Sequence, residues 1–199
     1  MPTDFLHRHK EFPNLIDFIS EDTSIHPFLI EKDYWIMHSL YSLRKMEFSF
    51  ELKGGTSLSK GFSIIDRFSE DIDIRIEPPA EQNVSVNPKQ QRPQHVKSRR
   101  DFYDWLAGQI KIDGIRTVER DFGFDDKKYY RNGGILLRYD GRTDSLPGVR
   151  PDVLLEVGFA KVVPNIPLTI SSWVYDYAVT KEIEVKDNRA VDVACYHPG

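Results

Sequence analysis

FSFELKGGTSLSKGFSIIDRFSEDIDIRI, residues 48–76, falls into three pieces whose order decides how the rest of the chain is read. Phe48, Phe50 and Leu52 alternate with polar residues, the two-residue period of a half-buried strand. Gly54-Gly55-Thr56-Ser57 breaks that strand, after which Leu58, Phe62 and Ile65 recur at helical spacing up to Arg67. Asp71-Ile72-Asp73-Ile74-Arg75-Ile76 alternates again, so Asp71 and Asp73 share one face while the isoleucines take the other. The expected unit is strand, glycine turn, short helix, acidic strand.

Its chemistry lies on the last strand. Two carboxylates two residues apart on one strand face stand about 7 Å apart along the backbone, so their side chains can converge on a divalent cation. Mg²⁺ takes a few carboxylate oxygens together with substrate phosphates, and Mn²⁺ suits the same oxygen donors. The bland alternative is a strand whose polar face is merely hydrated. Aspartate, however, prefers turns and helix caps and is depleted in strands, which makes two of them in one short strand hard to ascribe to chance.

The turn supplies the complementary part. Glycine lets backbone approach a phosphate closely, and the N–H groups opening the following helix favour an anion. Thr56 and Ser57 can cap that helix or donate to a phosphate oxygen, and Lys60 or Arg67 can neutralise charge there. No Gly-Lys-Ser/Thr closes the turn, so it is not a P-loop. Gly54, Gly55, Thr56, Ser57, Lys60 and Arg67 are therefore candidate nucleotide-binding residues, with Asp71 and Asp73 as catalytic metal ligands.

KGGTSLSKGF followed by RFSEDIDI is similar to the nucleotidyltransferase AbiEii/AbiGii toxin family, a branch of the DNA polymerase β-like nucleotidyltransferase superfamily. The resemblance extends upstream to Ile30-Glu31-Lys32-Asp33-Tyr34-Trp35, which resembles that family's Glu-Lys-Asp helix. It implies an α+β fold in which a mixed sheet is flanked by helices. An N-terminal helical region, residues 1–46, would pack on a nucleotidyltransferase core, residues 47–199. It also implies an NTP as substrate, Mg²⁺ or Mn²⁺ as cofactor and RNA such as tRNA as acceptor. The setting it implies is the toxin of a bacterial toxin–antitoxin or phage-defence pair, with a cognate antitoxin. A non-catalytic module that senses NTP or holds a partner in the same pocket is the alternative from another class.

Superfamily members carry a third carboxylate on a strand beside the Asp-x-Asp strand, set between apolar neighbours. Glu156, between Leu155 and Val157, fits that pattern and is assigned as the third catalytic and metal-binding carboxylate. Asp152, directly after Pro151, is the runner-up; Glu184 in Glu182-Ile183-Glu184 alternates too, but among charges that mark an exposed strand.

The rest of the chain bounds this reading. With 199 residues, 40% of them hydrophobic, there is enough apolar surface for a real core. A net charge of −4 excludes a global basic footprint for nucleic acid, so any such contact must be local. One cysteine, Cys195, excludes an internal disulfide framework and fits a reducing cytoplasm. No apolar run reaches the length of a membrane span, and the start is not that of a signal peptide. The histidines show no zinc-ligand spacing.

Phe12, Leu15, Ile16 and Ile19 predict a short helix, and Leu29, Ile36, Leu40 and Leu43 a second, beginning near Pro27. On it Lys32 and Asp33 are read either as a solvated pair or as groups near the nucleotide. Residues 78–98 read as a polar, proline-containing insertion. Phe102, Trp105, Leu106 and Ile110 then mark an amphipathic helix whose start carries Lys97, Arg99 and Arg100. That cluster suits an RNA backbone, although a solvated helix end offset by Asp101 and Asp104 is the plainer reading. Gly133-Gly134 is read as a turn before a strand at Ile135–Tyr139. Val191, Val193 and Cys195 alternate as a strand that runs into Pro198-Gly199. Family members continue from there into a helix with a Glu-Lys-Leu motif, which occurs nowhere here. The expectation is a chain lacking a C-terminal helical region, with an apolar patch where it would dock.

Overall fold

A computed structural model describes residues 4–66 and 68–197. Two helices, α1 (Phe12–Thr23) and α2 (Pro27–Lys45), lead into β1 (Phe50–Lys53). A short helix α3 (Gly54–Thr56) runs on as one wide turn over Ser57–Gly61 and is followed by β2 (Asp71–Ile76). Then come α4 (Pro93–Gln109), β3 (Ile115–Asp121), β4 (Asn132–Tyr139), β5 (Val153–Gly158), β6 (Asn165–Ile170), α5 (Trp173–Thr180) and β7 (Ala190–Tyr196). The strands form one seven-stranded mixed sheet in the order β3-β4-β5-β2-β1-β7-β6. The α+β expectation holds.

Strand alternation gives the sheet two unlike faces. In β2 the isoleucines at 72, 74 and 76 are buried while Asp71, Asp73 and Arg75 are half-buried. The register aligns Ile72 with Leu155 and Ile74 with Val157 on β5, and Ile135 with Leu155 on β4. These apolar residues form one face with Phe50 and Leu52, and α2 and α4 cover it. Trp35 of α2 stacks on Tyr139 at 4.9 Å, and Tyr103 of α4 stacks on Phe159 at 5.4 Å. The opposite face carries Glu51, Lys53, Asp71, Asp73, Arg75 and Glu156, none of which belongs to the hydrophobic core formed by the described residues.

Several elements differ from their sequence reading, each for a packing reason. α2 is not a stripe on a surface helix; Ile30 to Leu40 are buried without a break, Glu31, Lys32, Asp33 and His38 included. The helix runs through the core, and its polar side chains find partners inside it. α3 with its wide turn ends at Gly61, not near Arg67, and Ile64 beyond it is exposed. Gly133 and Gly134 are not a turn but lie inside β4. A Cβ on Gly133 would sit 2.7 Å from the Tyr103 ring, so glycine marks a close approach of helix to strand. Residues 181–189 form no strand, which removes the setting proposed for Glu184. β7 is present, but Asp192 adopts φ +54 and interrupts the alternation, so Val191 is exposed while Val193 and Cys195 are buried. β3, β6 and α5 were not expected.

The basic cluster also resolves differently. α4 begins at Pro93, inside the predicted insertion, which places Arg99 in its second turn and fully buried. Its Nε donates to the Tyr129 carbonyl at 2.8 Å, Nη1 to that of Ser85 at 3.0 Å and Nη2 to that of Gln90 at 3.2 Å. Arg99 thus ties the 78–92 segment to the β3–β4 loop and is not available to RNA. Lys97 pairs with Asp101 one turn on. Arg99→Met is expected to cost about 2 kcal/mol by leaving three carbonyls without a donor, and to speed proteolysis within 78–92. Unchanged melting and cleavage would show that the segment is held by other contacts.

Candidate active site

Three neighbouring strands build the polar face. β1 and β2 are antiparallel with Lys53 opposite Asp73 and Glu51 opposite Arg75. β2 and β5 are parallel with Asp73 opposite Glu156 and Asp71 opposite Leu154. Register partners point to the same side, so Lys53, Asp73 and Glu156 stand abreast, at a strand spacing of about 4.8 Å. The charges across β1 and β2 form a ladder: Arg75 Nη1 lies 3.2 Å from Glu51 Oε1, and Lys53 Nζ contacts Asp73 Oδ1. Asp71 and Glu156 have no rung of their own.

That imbalance sets the electrostatics. Burial pushes the Glu156 carboxyl up to about 7, the charges of Asp73 and Asp71 push the same way, and Lys53 only partly opposes them. Burial also raises Asp71, against the pull of Lys32. Its Oδ1 is buried without a hydrogen-bond partner. The protein without a divalent cation therefore binds a proton at Glu156 that the unfolded chain, with a value of 4.5, releases. This stabilisation is complete below about pH 4.5 and is lost as pH rises through about 7. In EDTA, Glu156→Gln is expected to be about 1 kcal/mol more stable than wild type at pH 8, a few degrees in Tm after allowing for solvent screening, and equal to it at pH 4. Parallel melting curves at both pH values would refute the assignment.

The glycine turn sits against the same carboxylates. Gly54 has φ +66, and a Cβ there would lie 3.0 Å from Asp73 Oδ2, so both conformation and space call for glycine. Thr56 donates its hydroxyl to the Asp71 carbonyl at 2.7 Å, and Ser57 donates to the Tyr196 carbonyl at 2.8 Å. Both side chains pin the turn to β2 and β7, and both residues are buried, so Gly54 and Gly55 are the half-buried part of the turn that solvent reaches. Lys60 is elsewhere: Nζ lies 2.7 Å from Asp33 Oδ1 and 4.1 Å above the Trp173 ring. Arg67 lies outside the described residues.

Glu31, Lys32 and Asp33 are buried, which rules out the solvated pair. Glu31 and Lys32 reach two stretches of the β4–β5 loop, and Asp33 reaches the start of α5. Glu31 accepts from the N–H groups of Arg142, at 2.8 Å, and Thr143, at 3.0 Å. Lys32 Nζ donates to the Arg150 carbonyl at 2.8 Å and lies 3.8 Å from Glu70 Oε2. Asp33 accepts from the Trp173 N–H at 2.9 Å. Burial lowers the Lys32 pKa, while Glu70, Asp71 and Asp152 hold it up, so this lysine is the cation beside Asp71. Asp152 also lies on the polar face but is bound by Arg138 at 3.3 Å and Arg150 at 3.5 Å.

Lys53 escaped the sequence reading. The signal was present: it continues the alternation of Phe50-Glu51-Leu52, so an antiparallel β1–β2 pair places it on the aspartate face. Among the described residues no three His, Cys, Asp or Glu side chains are gathered into a formed metal cage. The donor set still fits a hard divalent cation. It combines carboxylates on adjacent strands, a donorless Asp71 oxygen and a Glu156 whose pKa is raised first by burial and then by the charges of Asp73 and Asp71. Asp71, Asp73 and Glu156 are the residues that would hold it.

A mixed sheet of this order, helices on one face and an acidic strand at its centre, is an α+β fold of the nucleotidyltransferase type. The chain belongs to the AbiEii family, described as nucleotidyl transferase AbiEii toxin of a type IV toxin–antitoxin system, whose model matches residues 36–198. The match begins within α2, so Glu31 to Asp33 precede it. No curated protein matches the chain. No helix among the described residues is long and apolar enough to cross a membrane.

Proposed function

We propose that this protein transfers a nucleotidyl group from an NTP to a hydroxyl of an RNA, tRNA being the expected acceptor, as the toxin of a bacterial pair that includes a cognate antitoxin. The observation that carries the chemistry is the surplus of carboxylate on the open sheet face, where Asp71 and Glu156 lack a counter-charge rung beside Asp73. Mg²⁺ or Mn²⁺ bound there would supply charge neutralisation on the phosphates and a lower pKa for the attacking hydroxyl.

The chain's own residues do the rest. The Gly54 to Ser57 turn would receive the β- and γ-phosphates through its Gly54-Gly55 backbone, which lies beside Asp73. The acceptor oxygen attacks the α-phosphorus and the bond to the β-phosphate oxygen breaks. Pyrophosphate leaves with the electron pair, and the hydroxyl proton passes to the Glu156 carboxylate or to water. Positioning and electrostatics supply the rate, since no covalent intermediate with the protein is needed. Cytoplasmic action and a role in phage defence belong to the same reading.

Incubation with each α-³²P-labelled NTP, Mg²⁺ or Mn²⁺ and total RNA tests it. Label in an RNA band, lost in Asp71→Asn, is the expected result. Tight NTP binding with no transfer to RNA or protein would overturn it in favour of a nucleotide sensor.

A further inference from the structure

Lys53 stands in the middle of the acidic face, and the proposed transfer gives it no task. It occupies the rung opposite Asp73, which is itself opposite Glu156. Its ammonium contacts Asp73 Oδ1, while Asp73 Oδ2 faces Gly54 on the other side. One cation thus stands abreast of the two carboxylates of β2 and β5 and pairs with the nearer of them in register, Asp73.

The other lysines around the site are fixed. Lys32 is fully buried and donates to the Arg150 carbonyl, and Lys60 is held by Asp33 over the Trp173 ring. The next rung down, Arg75 with Glu51, is fastened further by Glu77. Lys53 has Asp73 as its ion-pair partner, and both side chains keep some solvent, at 22% and 28% exposure. Its stem also leaves the backbone at the residue preceding the glycine turn, as the N-cap of α3. A flexible stem rooted there can swing from the carboxylates toward whatever the turn holds, at little desolvation cost.

We infer that Lys53 is an exchangeable counter-ion: it neutralises Asp73 and Glu156 while the site is free of divalent cation, gives way when the cation binds, and then pairs with a phosphate of the nucleotide. This rests on the nucleotidyl-transfer reading. It also accounts for carboxylates that fit a metal yet are not gathered around a common point, since Lys53 draws Asp73 to itself.

Mn²⁺ binding to the whole chain, followed by electron paramagnetic resonance without nucleotide, tests it apart from activity. Lys53→Met is expected to bind Mn²⁺ roughly tenfold tighter than wild type, about the effect of removing one competing charge. With Mn²⁺ present it should bind a non-hydrolysable NTP roughly tenfold more weakly. Lys53→Arg should restore both values toward wild type because it keeps a cation at that position. The reading that separates the counter-ion from a purely structural tie between β1 and β2 is the tighter Mn²⁺ binding of Lys53→Met, which such a tie would not produce. Mn²⁺ affinity unchanged or lowered in a folded Lys53→Met overturns the counter-ion role while leaving the transfer reading intact. Tighter Mn²⁺ with unchanged NTP affinity overturns the move to phosphate. Loss of Mn²⁺ binding in wild type and variant alike overturns both the inference and the metal reading it rests on.

Discussion

Asp73→Asn is expected to reduce nucleotidyl transfer by about 10³-fold or more, because removing one carboxylate from a metal-assisted phosphoryl site forfeits several kcal/mol of charge stabilisation. The change is isosteric and falls on a half-buried side chain of the open sheet face, so little packing is lost. What is lost structurally is the ion pair to Lys53, which is partly solvated and contributes about 0.5–1 kcal/mol. Relief of repulsion on Glu156 offsets part of that, since Asp73 is the largest charge acting on it. Melting should therefore stay within a few degrees of wild type while label transfer to RNA disappears. Full transfer by a folded Asp73→Asn protein would sink the assignment of this strand as the catalytic one.

The second large effect concerns stability. Asp33→Ala should cost about 3 kcal/mol and lower Tm by roughly 8 °C, because breaking a buried ion pair from one side strands the other charge. The Asp33 side chain is only 2% exposed; it binds Lys60 at 2.7 Å and the Trp173 N–H, at the start of α5, at 2.9 Å. One carboxylate thus joins the central helix to the end of the glycine turn and to α5. Lys60→Met in the Asp33→Ala background should recover part of the loss by removing the orphaned ammonium, a coupling that a double-mutant cycle measures directly. The outcome also decides the role of Lys60. If Lys60→Met alone abolishes transfer with no loss of stability, Lys60 serves the nucleotide and not the fold.

The sequence made the centre of this protein legible because strand alternation is a local property. Asp71 and Asp73 must share a face once Ile72 and Ile74 are buried, and a glycine pair between two alternating runs marks the turn. Glu156 could be singled out for a similar reason, as a charge inside an apolar run at the length of a strand. The basic cluster of α4 could not be read the same way. Whether an arginine at a helix start meets solvent or a ring of carbonyls depends on where distant chain passes, and Ser85, Gln90 and Tyr129 cannot be placed around Arg99 by periodicity. Gly133 misled for the same reason. Its meaning lies in the Tyr103 ring above it, thirty residues away in sequence, whereas a glycine pair viewed locally reads as a turn.

What the sequence determined by itself is the strand–turn–helix–strand unit and the side on which its carboxylates lie, because backbone sterics and side-chain alternation act between neighbours. Tertiary structure alone decided which charges are paired. Glu31, Lys32 and Asp33 form one short polar run in the sequence, yet from within the core they fasten two stretches of the β4–β5 loop and the start of α5. Lys60 looks suited to phosphate by spacing but is drawn to Asp33, since a buried carboxylate needs a cation more than an open turn does. Lys53 was left to face Asp73 and Glu156 by the register of three strands brought together from residues 53, 73 and 156. Charge pairing follows distance in space, and only the assembled sheet sets that distance.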